Sequence, residues 1–211
     1  MDLNAFKKTP VMGIVRGTEI SDITPLIETV IRSGLQTIEI TMNTRDAVSI
    51  ISEAVSVSQG RISIGAGTVL SDEDLEKALS AGAEFVVMPV CDEKVVKTCA
   101  KNKIPVFPGA ITPSEVLRAW SYGASMVKIF PSSFYGPKYF KALKGPLDKI
   151  ELMAVGGVNL KNIKEYFDCG AGAVAFGASI FKKDLLAKKD FRTIGRLVKD
   201  FVETVKRASN R

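Results

Sequence analysis

The stretch VMGIVRGTEISDITPLIETVIRSGLQTIEIT, residues 11–41, contains one complete strand–helix–strand unit. Its two ends, VMGIVR (11–16) and QTIEIT (36–41), are short runs rich in apolar and β-branched residues, which predicts strands. The segment between them places apolar residues at helical spacing, and Gly34 provides a C-terminal stop. The apolar positions of this segment are Ile23, Leu26, Ile27, Val30 and Ile31. A strand followed by a helix and a second strand predicts parallel pairing through a crossover.

The same unit recurs along the chain. Eight short apolar runs alternate with helical segments, and we interpret these runs as eight strands. They are residues 11–16, 36–41, 62–67, 84–89, 104–109, 125–130, 150–155 and 172–177. Two folds contain parallel strands that are buried on both faces, the closed (β/α)8 TIM barrel and the open doubly wound sheet. Small residues near the strand ends and the absence of an early G-x-G-x-x-G motif favour the α/β class of the TIM barrel.

The chain is expected to form one domain, residues 1–211, because its length suits a single barrel and no linker or low-complexity segment interrupts it. Residues 1–9 predict a short N-terminal helix ahead of the barrel, and residues 184–211 predict a final helix. Ser71 and Thr112 stand where helix N-caps are expected.

The charge of the chain does not indicate a nucleic-acid partner. The net charge is +6, but the basic residues are scattered through helical segments, and no recognition aromatics are interleaved with them. We interpret the excess as solvated helix faces that also attract anionic substrates mildly. No apolar run approaches the length of a membrane span, and the N-terminal residues lack the apolar core of a signal peptide. The expectation is a cytoplasmic protein without a membrane partner.

The chain contains no histidine and only three cysteines, which have no metal-ligand spacing. This composition excludes Ser-His and Cys-His nucleophile pairs and sites that bind a metal through histidine. Any proton transfer must use carboxylate, lysine, tyrosine, cysteine or water. We therefore expect neither a metal nor a cofactor.

Of the charged residues in the predicted strands, two lie near the middle of a strand between apolar neighbours. Glu39 stands between Ile38 and Ile40, and Lys128 stands between Val127 and Ile129. Because side chains alternate along a strand, the apolar neighbours would face the helices while Glu39 and Lys128 face the barrel lumen. One interpretation is a structural ion pair, although a buried pair contributes little net stability. The other is a catalytic pair.

The catalytic interpretation follows from the chemistry of a buried amine. An apolar pocket disfavours the charged form of a lysine and lowers its pKa. The neutral amine of Lys128 can attack a carbonyl and form a Schiff base, which is an electron sink for cleavage of a neighbouring C–C bond. The carboxyl group of Glu39 can carry protons during these steps.

Glycine-rich segments follow the last two predicted strands. Gly156 and Gly157 follow the seventh strand, and Gly177, Ala178 and Ser179 follow the eighth. Loops at these positions often bind phosphate in this fold, with backbone N–H groups and a helix N-terminus facing the anion. The alternative is that both are simply tight turns. We also interpret the Gly65–Gly67 segment as a close backbone approach to substrate, Thr68 as a hydroxyl donor and Pro89 as part of the pocket rim.

The motifs together identify a resemblance. IVRG, IEIT, GAGTVL, GAEFVVMP, VKIFPSS, VGGV and FGAS follow one another in this order. This series resembles the 2-keto-3-deoxy-6-phosphogluconate/phosphogalactonate aldolase family over nearly the whole chain. The resemblance implies a class I aldolase, a carbon–carbon lyase that releases pyruvate and glyceraldehyde 3-phosphate from a phosphorylated keto acid, and it implies a homotrimer.

The resemblance also implies roles for individual residues. Lys128 corresponds to the Schiff-base lysine and Glu39 to the proton shuttle. Arg16 and Thr68 would bind the carboxylate and keto end of the substrate. The phosphate would be held by Gly156, Gly157, Gly177, Ala178 and Ser179.

The sequence departs from the phosphogluconate-type members of that family. These carry an arginine four residues after the glutamate and a Pro-Thr pair before the two glycines, whereas this chain has Asn43 and then Ala154 and Val155. The segments EITMN and AVGGV are closer to the phosphogalactonate type. The two substrates are C4 epimers, and an apolar Val155 in place of a threonine should alter how the C4 hydroxyl is recognised.

Two alternatives remain open on the residues alone. One is another phosphate-binding barrel enzyme, such as a sugar-phosphate epimerase or isomerase. The other is a barrel without catalytic activity that serves in binding or assembly.

Overall fold

Nine parallel strands form a single sheet in the computed structural model, which describes residues 1–209. The strands are β1 (Val11–Val15), β2 (Thr37–Thr41), β3 (Ser63–Gly67), β4 (Val86–Val87), β5 (Val106–Phe107), β6 (Gly109–Ala110), β7 (Val127–Ile129), β8 (Leu152–Val155) and β9 (Ala173–Phe176). Positions 210 and 211, which the predicted domain and its final helix include, lie outside the described residues.

Helices follow the strands in the alternation that the sequence predicts. They are α1 (Leu3–Lys8), α2 (Ile20–Arg32), α3 (Ala47–Ser58), α4 (Asp72–Ser80), α5 (Glu93–Lys101), α6 (Pro113–Ser121), α7 (Pro137–Lys144), α8 (Ile163–Asp168), α9 (Lys183–Ala187) and α10 (Phe191–Ser209). A 3-10 turn, Ser132–Phe134, follows β7. No helix within residues 1–209 is both long and apolar enough to cross a membrane.

The order of the strands closes the sheet into a barrel. It runs β5-β4-β3-β2-β1-β9-β8-β7-β6, so the two strands at its ends are β5 and β6. These strands follow one another directly along the chain, and Pro108 joins them. The carbonyl group of Pro108 accepts a hydrogen bond of 2.9 Å from the backbone N–H of Lys128. The TIM-barrel prediction is therefore confirmed.

Two predicted elements are divided in the structure. The fifth strand, expected over residues 104–109, is split into β5 and β6 at Pro108, because proline has no N–H for the ladder. This split accounts for nine strands where eight were expected. The final helix is likewise divided into α9 and α10, and Lys189 between them has a left-handed backbone with φ of 53°.

Two apolar layers separate the helices from the lumen. Ile38, Ile40, Val127 and Ile129 belong to the layer between the sheet and the helices. A second layer fills the lumen at the N-terminal ends of the strands and includes Met12, Phe85, Phe107 and Met153 together with Phe6 of α1. The alternation predicted for β2 and β7 is therefore present, and polar residues are left at the C-terminal ends of the strands.

Helix α1 closes the N-terminal end of the barrel. The side chain of Asp2 caps this helix by accepting the N–H of Asn4 at 2.7 Å and that of Ala5 at 3.2 Å. Phe6 is only 3% exposed, and its ring meets the ring of Phe107 edge to face with centroids 5.9 Å apart. The helix thus contributes an aromatic plug to the lumen.

We expect Phe6→Ala to lower the free energy of unfolding by about 3–5 kcal/mol, because it leaves a cavity beneath the aromatic cluster. Urea denaturation measures this change. The matched control is Asn4→Ala on the exposed side of the same helix, with an expected change within about 0.5 kcal/mol. Equal stabilities of the two variants would contradict the role of α1 as a plug.

Candidate active site

Lys128 lies at the middle of β7, where its Cα is in register with Gly109 of β6 and Met153 of β8. The residue is 6% exposed, and its Nζ lies 5.0 Å from the centroid of the Phe130 ring. Burial lowers the pKa of the Lys128 amine; the positive charge of Arg16 lowers it further, whereas the carboxylate of Glu39 opposes the change. The lumen therefore favours the uncharged amine.

Glu39 lies on β2, in register with Ile14 of β1 and Gly65 of β3. It is 1% exposed, and its Oε2 atom has no hydrogen-bond partner among the described residues. Burial raises the pKa of the Glu39 carboxyl group, although the charges of Lys128 and Arg16 oppose this effect. Burying a carboxyl oxygen without a hydrogen-bond partner costs free energy of folding. Such a group is therefore a candidate for contact with a ligand.

The two charged groups do not form a direct ion pair. Within residues 1–209, neither Lys128 nor Glu39 takes part in a salt bridge. Each nevertheless shifts the pKa of the other through its charge. This arrangement differs from the structural ion pair considered above, in which the two groups would be in direct contact.

Gly65 and Gly67 make room for side chains of the protein itself. A Cβ atom at Gly67 would lie 2.4 Å from Oε1 of Glu39, and one at Gly65 would lie 2.4 Å from the ring of Phe85. Gly67 thus allows the carboxyl group of Glu39 to occupy the lumen. The close backbone approach to substrate that the sequence predicts for this segment stays a prediction.

A cavity of about 250 Å³ lies at the C-terminal ends of β1, β8 and β9. It brings together seven residues singled out in the sequence: Arg16, Val155, Gly156, Gly157, Gly177, Ala178 and Ser179. Phe130, which also lines this cavity, approaches the Lys128 amine, and Ile14 of the cavity is the register partner of Glu39. Lys128 and Glu39 do not themselves line the cavity, but each has a neighbour that does.

The two glycine-rich loops present free backbone donors. The N–H groups of Gly156, Gly157, Gly177, Ala178 and Ser179 donate to no other residue in the described part of the chain. Gly156 and Gly157 have φ values of 92° and 77°, and a Cβ atom at Gly157 would lie 2.6 Å from that of Ser133. Only glycine suits this geometry. Successive free N–H groups of this kind form a concave surface that can bind an anion.

Asparagine side chains, and not helix termini, support the first of these loops. Asn159 and Asn162 donate from their Nδ2 atoms to the carbonyl of Gly157 at 3.1 and 3.0 Å. The expected helix N-termini do not follow the glycines directly, since α8 begins at Ile163 and α9 at Lys183. The donors that this region offers to an anion are therefore the loop amides.

Thr68 and Pro89 do not line this cavity. Thr68 follows β3 and has a left-handed backbone with φ of 57°, which costs a β-branched residue about 1–3 kcal/mol. Pro89 lines a second cavity of about 270 Å³ with Cys91 and Arg118. Phe130 lines both cavities and therefore separates them.

Sequence reasoning missed Phe130 and Ile14, which border the charged groups. Phe130 lies two positions after Lys128, and Ile14 lies two positions before Arg16. The same period-two alternation that placed the charged residues could have placed both on the lumen face. Within residues 1–209, no group of three histidine, cysteine or acidic side chains is arranged to hold a metal ion.

Comparisons with known proteins agree with this geometry. The family model for KDPG and KHG aldolases matches residues 3–197. A 2-dehydro-3-deoxy-phosphogluconate aldolase of Haemophilus influenzae is 35% identical over 97% of this chain and 95% of that protein. A native KDPGal structure superposes with a TM-score of 0.88 at 30% identity, covering 94% of this chain and 95% of that one.

A further solved structure is that of the KDPG aldolase from Legionella pneumophila, with pyruvate captured at low pH as a covalent carbinolamine intermediate. It superposes with a TM-score of 0.85 at 26% identity and covers 92% of this chain and 94% of that one. On the match of the family model and the identity to the Haemophilus protein, this chain belongs to the KDPG and KHG aldolase family.

Proposed function

We propose that the protein is a class I aldolase that cleaves a 2-keto-3-deoxy-6-phospho sugar acid to pyruvate and glyceraldehyde 3-phosphate through a Schiff base at Lys128. As a member of the aldolase family it is a carbon–carbon lyase. The observation that carries the proposal is the buried amine of Lys128, whose pKa is lowered beside the carboxyl group of Glu39, whose pKa is raised. The carbinolamine of the Legionella enzyme with pyruvate supports a covalent route.

The first half of the reaction forms the covalent intermediate. The neutral amine of Lys128 attacks the C2 keto carbon of the substrate, and the resulting carbinolamine loses water to give an iminium. Glu39 lies within electrostatic reach of the amine and has an unpaired oxygen, so it can donate the proton that the departing hydroxyl group requires. A carboxyl group with a raised pKa is suited to donating as well as accepting this proton.

The second half breaks the carbon–carbon bond. The carboxylate of Glu39 takes the proton of the C4 hydroxyl group, the C3–C4 bond breaks, and its electron pair moves into the iminium to form an enamine. Glyceraldehyde 3-phosphate leaves with C4 to C6. Protonation of C3 and addition of water then release pyruvate and regenerate the amine.

The phosphate end of the substrate suits the glycine-rich loops. Five unpartnered backbone N–H groups line the cavity, and the guanidinium of Arg16 lies among them as a cation. A substrate with its keto carbon at Lys128 would extend past Phe130 into this cavity. Thr68 and Pro89 remain our candidates for contacts at the pyruvate end, although neither borders the 250 Å³ cavity.

We propose 2-keto-3-deoxy-6-phosphogalactonate as the preferred substrate, with its C4 epimer 2-keto-3-deoxy-6-phosphogluconate as a second substrate. Val155 is 3% exposed and lines the cavity at the end of β8, next to the first phosphate loop. An apolar side chain here cannot form a hydrogen bond with a C4 hydroxyl group. Asn43, where phosphogluconate-type members carry arginine, supports the same substrate type.

A homotrimer in the cytoplasm remains part of the proposal. Several apolar side chains are exposed on the segments that follow the strands: Leu70, Val90, Phe134 and Tyr135. These residues lie at the same end of the barrel as the cavity, and they offer apolar surface for contact with other subunits.

We expect Lys128→Ala to lower cleavage by about 10³-fold or more and to abolish trapping of pyruvate by borohydride, because the variant has no amine to form the imine. Mass spectrometry of the reduced protein measures the adduct. In the wild type the adduct should form at a pH below that at which exposed lysines react, since the pKa of Lys128 is lowered.

The control for that experiment is Lys77→Ala, which removes an exposed lysine of α4 and should retain both activity and adduct. A wild-type protein that carries no adduct at Lys128 would favour the epimerase or isomerase alternative. Unchanged cleavage by Lys128→Ala would exclude the Schiff base.

We expect Gly67→Ala to lower cleavage by about 10²-fold while the barrel remains folded, because the new methyl group would displace the carboxyl group of Glu39. Steady-state kinetics and circular dichroism measure the two effects. Gly145→Ala is the control, since Gly145 has an ordinary helical φ of −55° and its nearest contact for a Cβ is 3.4 Å. Full activity of Gly67→Ala would remove Glu39 from the mechanism.

We expect Val155→Thr to shift the ratio of kcat/KM for the two C4 epimers by about tenfold toward the phosphogluconate type, because the new hydroxyl group can bond a differently placed C4 hydroxyl. Pyruvate formation from each epimer measures this ratio. Val48→Thr on the exposed face of α3 is the control and should leave the ratio unchanged. An unchanged ratio in Val155→Thr as well would assign epimer selection to other residues.

A further inference from the structure

A short series of hydrogen bonds links β2 to the loop that follows β1. The hydroxyl oxygens of Thr41 and Thr44 lie 3.0 Å apart, and the backbone N–H of Gly17 donates to Oγ1 of Thr44 at 3.0 Å. Thr41 is fully buried and Thr44 is 6% exposed. The N–H of Thr44 also donates to the carbonyl of Thr41 at 2.9 Å, which holds the turn that carries Thr44.

The position of this link matters because Arg16 immediately precedes Gly17. The peptide plane between the two residues is oriented by the hydrogen bond to Thr44, and Gly17 has a left-handed backbone with φ of 72°. Within residues 1–209, the guanidinium of Arg16 forms no salt bridge. Arg16 is exposed and lines the cavity, and the backbone of its loop directs the residue there.

We propose that Thr44 is a positioning residue that holds Arg16 in the cavity for contact with an anionic oxygen of the substrate. Thr41, its partner, lies two residues after Glu39 on the lumen face of β2. The link thus fixes the loop of Arg16 to the strand that carries the proposed proton shuttle. This inference rests on the proposed aldolase function, which supplies the anionic substrate.

The effect of Arg16 on the pKa of Lys128 distinguishes a positioning role of Thr44 from a purely structural one. A purely structural role would leave that pKa unchanged. Two charged groups act on the Lys128 amine, Glu39 from β2 and Arg16 from the end of β1. Arg16 lowers the pKa of Lys128, so withdrawing its charge should let that pKa rise. The acid limb of the pH profile for pyruvate trapping should then move to higher pH, because less of the amine is neutral at a given pH.

The deciding experiment compares Thr44→Val, Arg16→Met and the double variant in the intact protein, with Thr44→Ser as the conservative replacement. Thr44→Val should raise KM by about tenfold to a hundredfold with a smaller change in kcat, and should shift the acid limb upward. Thr44→Ser should restore both values. The double variant should be no worse than Arg16→Met alone, because both changes remove the same contact.

Thr37→Val is the matched control. Thr37 lies on the same face of β2 as Thr41, but at the opposite end of the barrel beside α1, and its variant should behave as wild type.

Two further measurements show whether Arg16 contacts the phosphate or the carboxylate of the substrate. They are inhibition by inorganic phosphate and the dependence of trapping on the concentration of pyruvate. Weaker inhibition in Thr44→Val assigns Arg16 to the phosphate, whereas weaker trapping assigns it to the carboxylate.

The outcomes separate this inference from the proposed function. If the wild type traps pyruvate at Lys128 but Thr44→Val has unchanged KM and pH profile, the positioning role alone is wrong. The positioning role is also wrong if the fold-changes in KM of Thr44→Val and Arg16→Met multiply in the double variant. If the wild type neither traps pyruvate nor cleaves the substrate, the aldolase function and this inference both fail.

Discussion

The burial of two opposite charges without direct contact is the constraint on which the site depends. Removing an ammonium and a carboxylate from water is costly, and a contact ion pair would recover part of that cost. Lys128 and Glu39 lie near enough to shift each other's pKa but form no ion pair in the described chain. Burial instead moves each group toward its neutral form. The fold itself therefore lowers the pKa of the Lys128 amine and raises that of the Glu39 carboxyl group.

Such an arrangement requires a closed scaffold, because water would restore the charged forms. Pro108 joins the two edges of the sheet, and its carbonyl group pairs with the backbone N–H of Lys128. The residue that splits the fifth strand thus also fixes the backbone of Lys128. At the opposite end Phe6 seals the lumen against Phe107. Closure of the barrel and burial of the Lys128 amine are consequences of the same backbone geometry.

Much of this could be predicted from the sequence because it depends on local periodicity. Alternation along two strands placed Lys128 and Glu39 in the lumen, and the repeated strand–helix unit predicted the barrel. The reason for Gly67 could not be predicted, since the atom it accommodates belongs to Glu39 on a neighbouring strand. The hydrogen bond from Gly17 to Thr44 also escaped prediction, because it joins positions 27 residues apart. Contacts of this kind follow from register and loop geometry, which no short motif encodes.

The backbone and the side chains of the proposed site contribute differently to substrate specificity. Five free N–H groups in two loops can bind an anion without any side chain, and the positive φ values of Gly156 and Gly157 keep glycine at two of these positions. The amine of Lys128 fixes the other end of the proposed substrate. In the proposed mechanism the C4 hydroxyl group of the substrate would lie between these two points, in the region bordered by Phe130 and Val155. Discrimination between the epimers would then arise in this region, where side chains and not the backbone form the wall of the cavity.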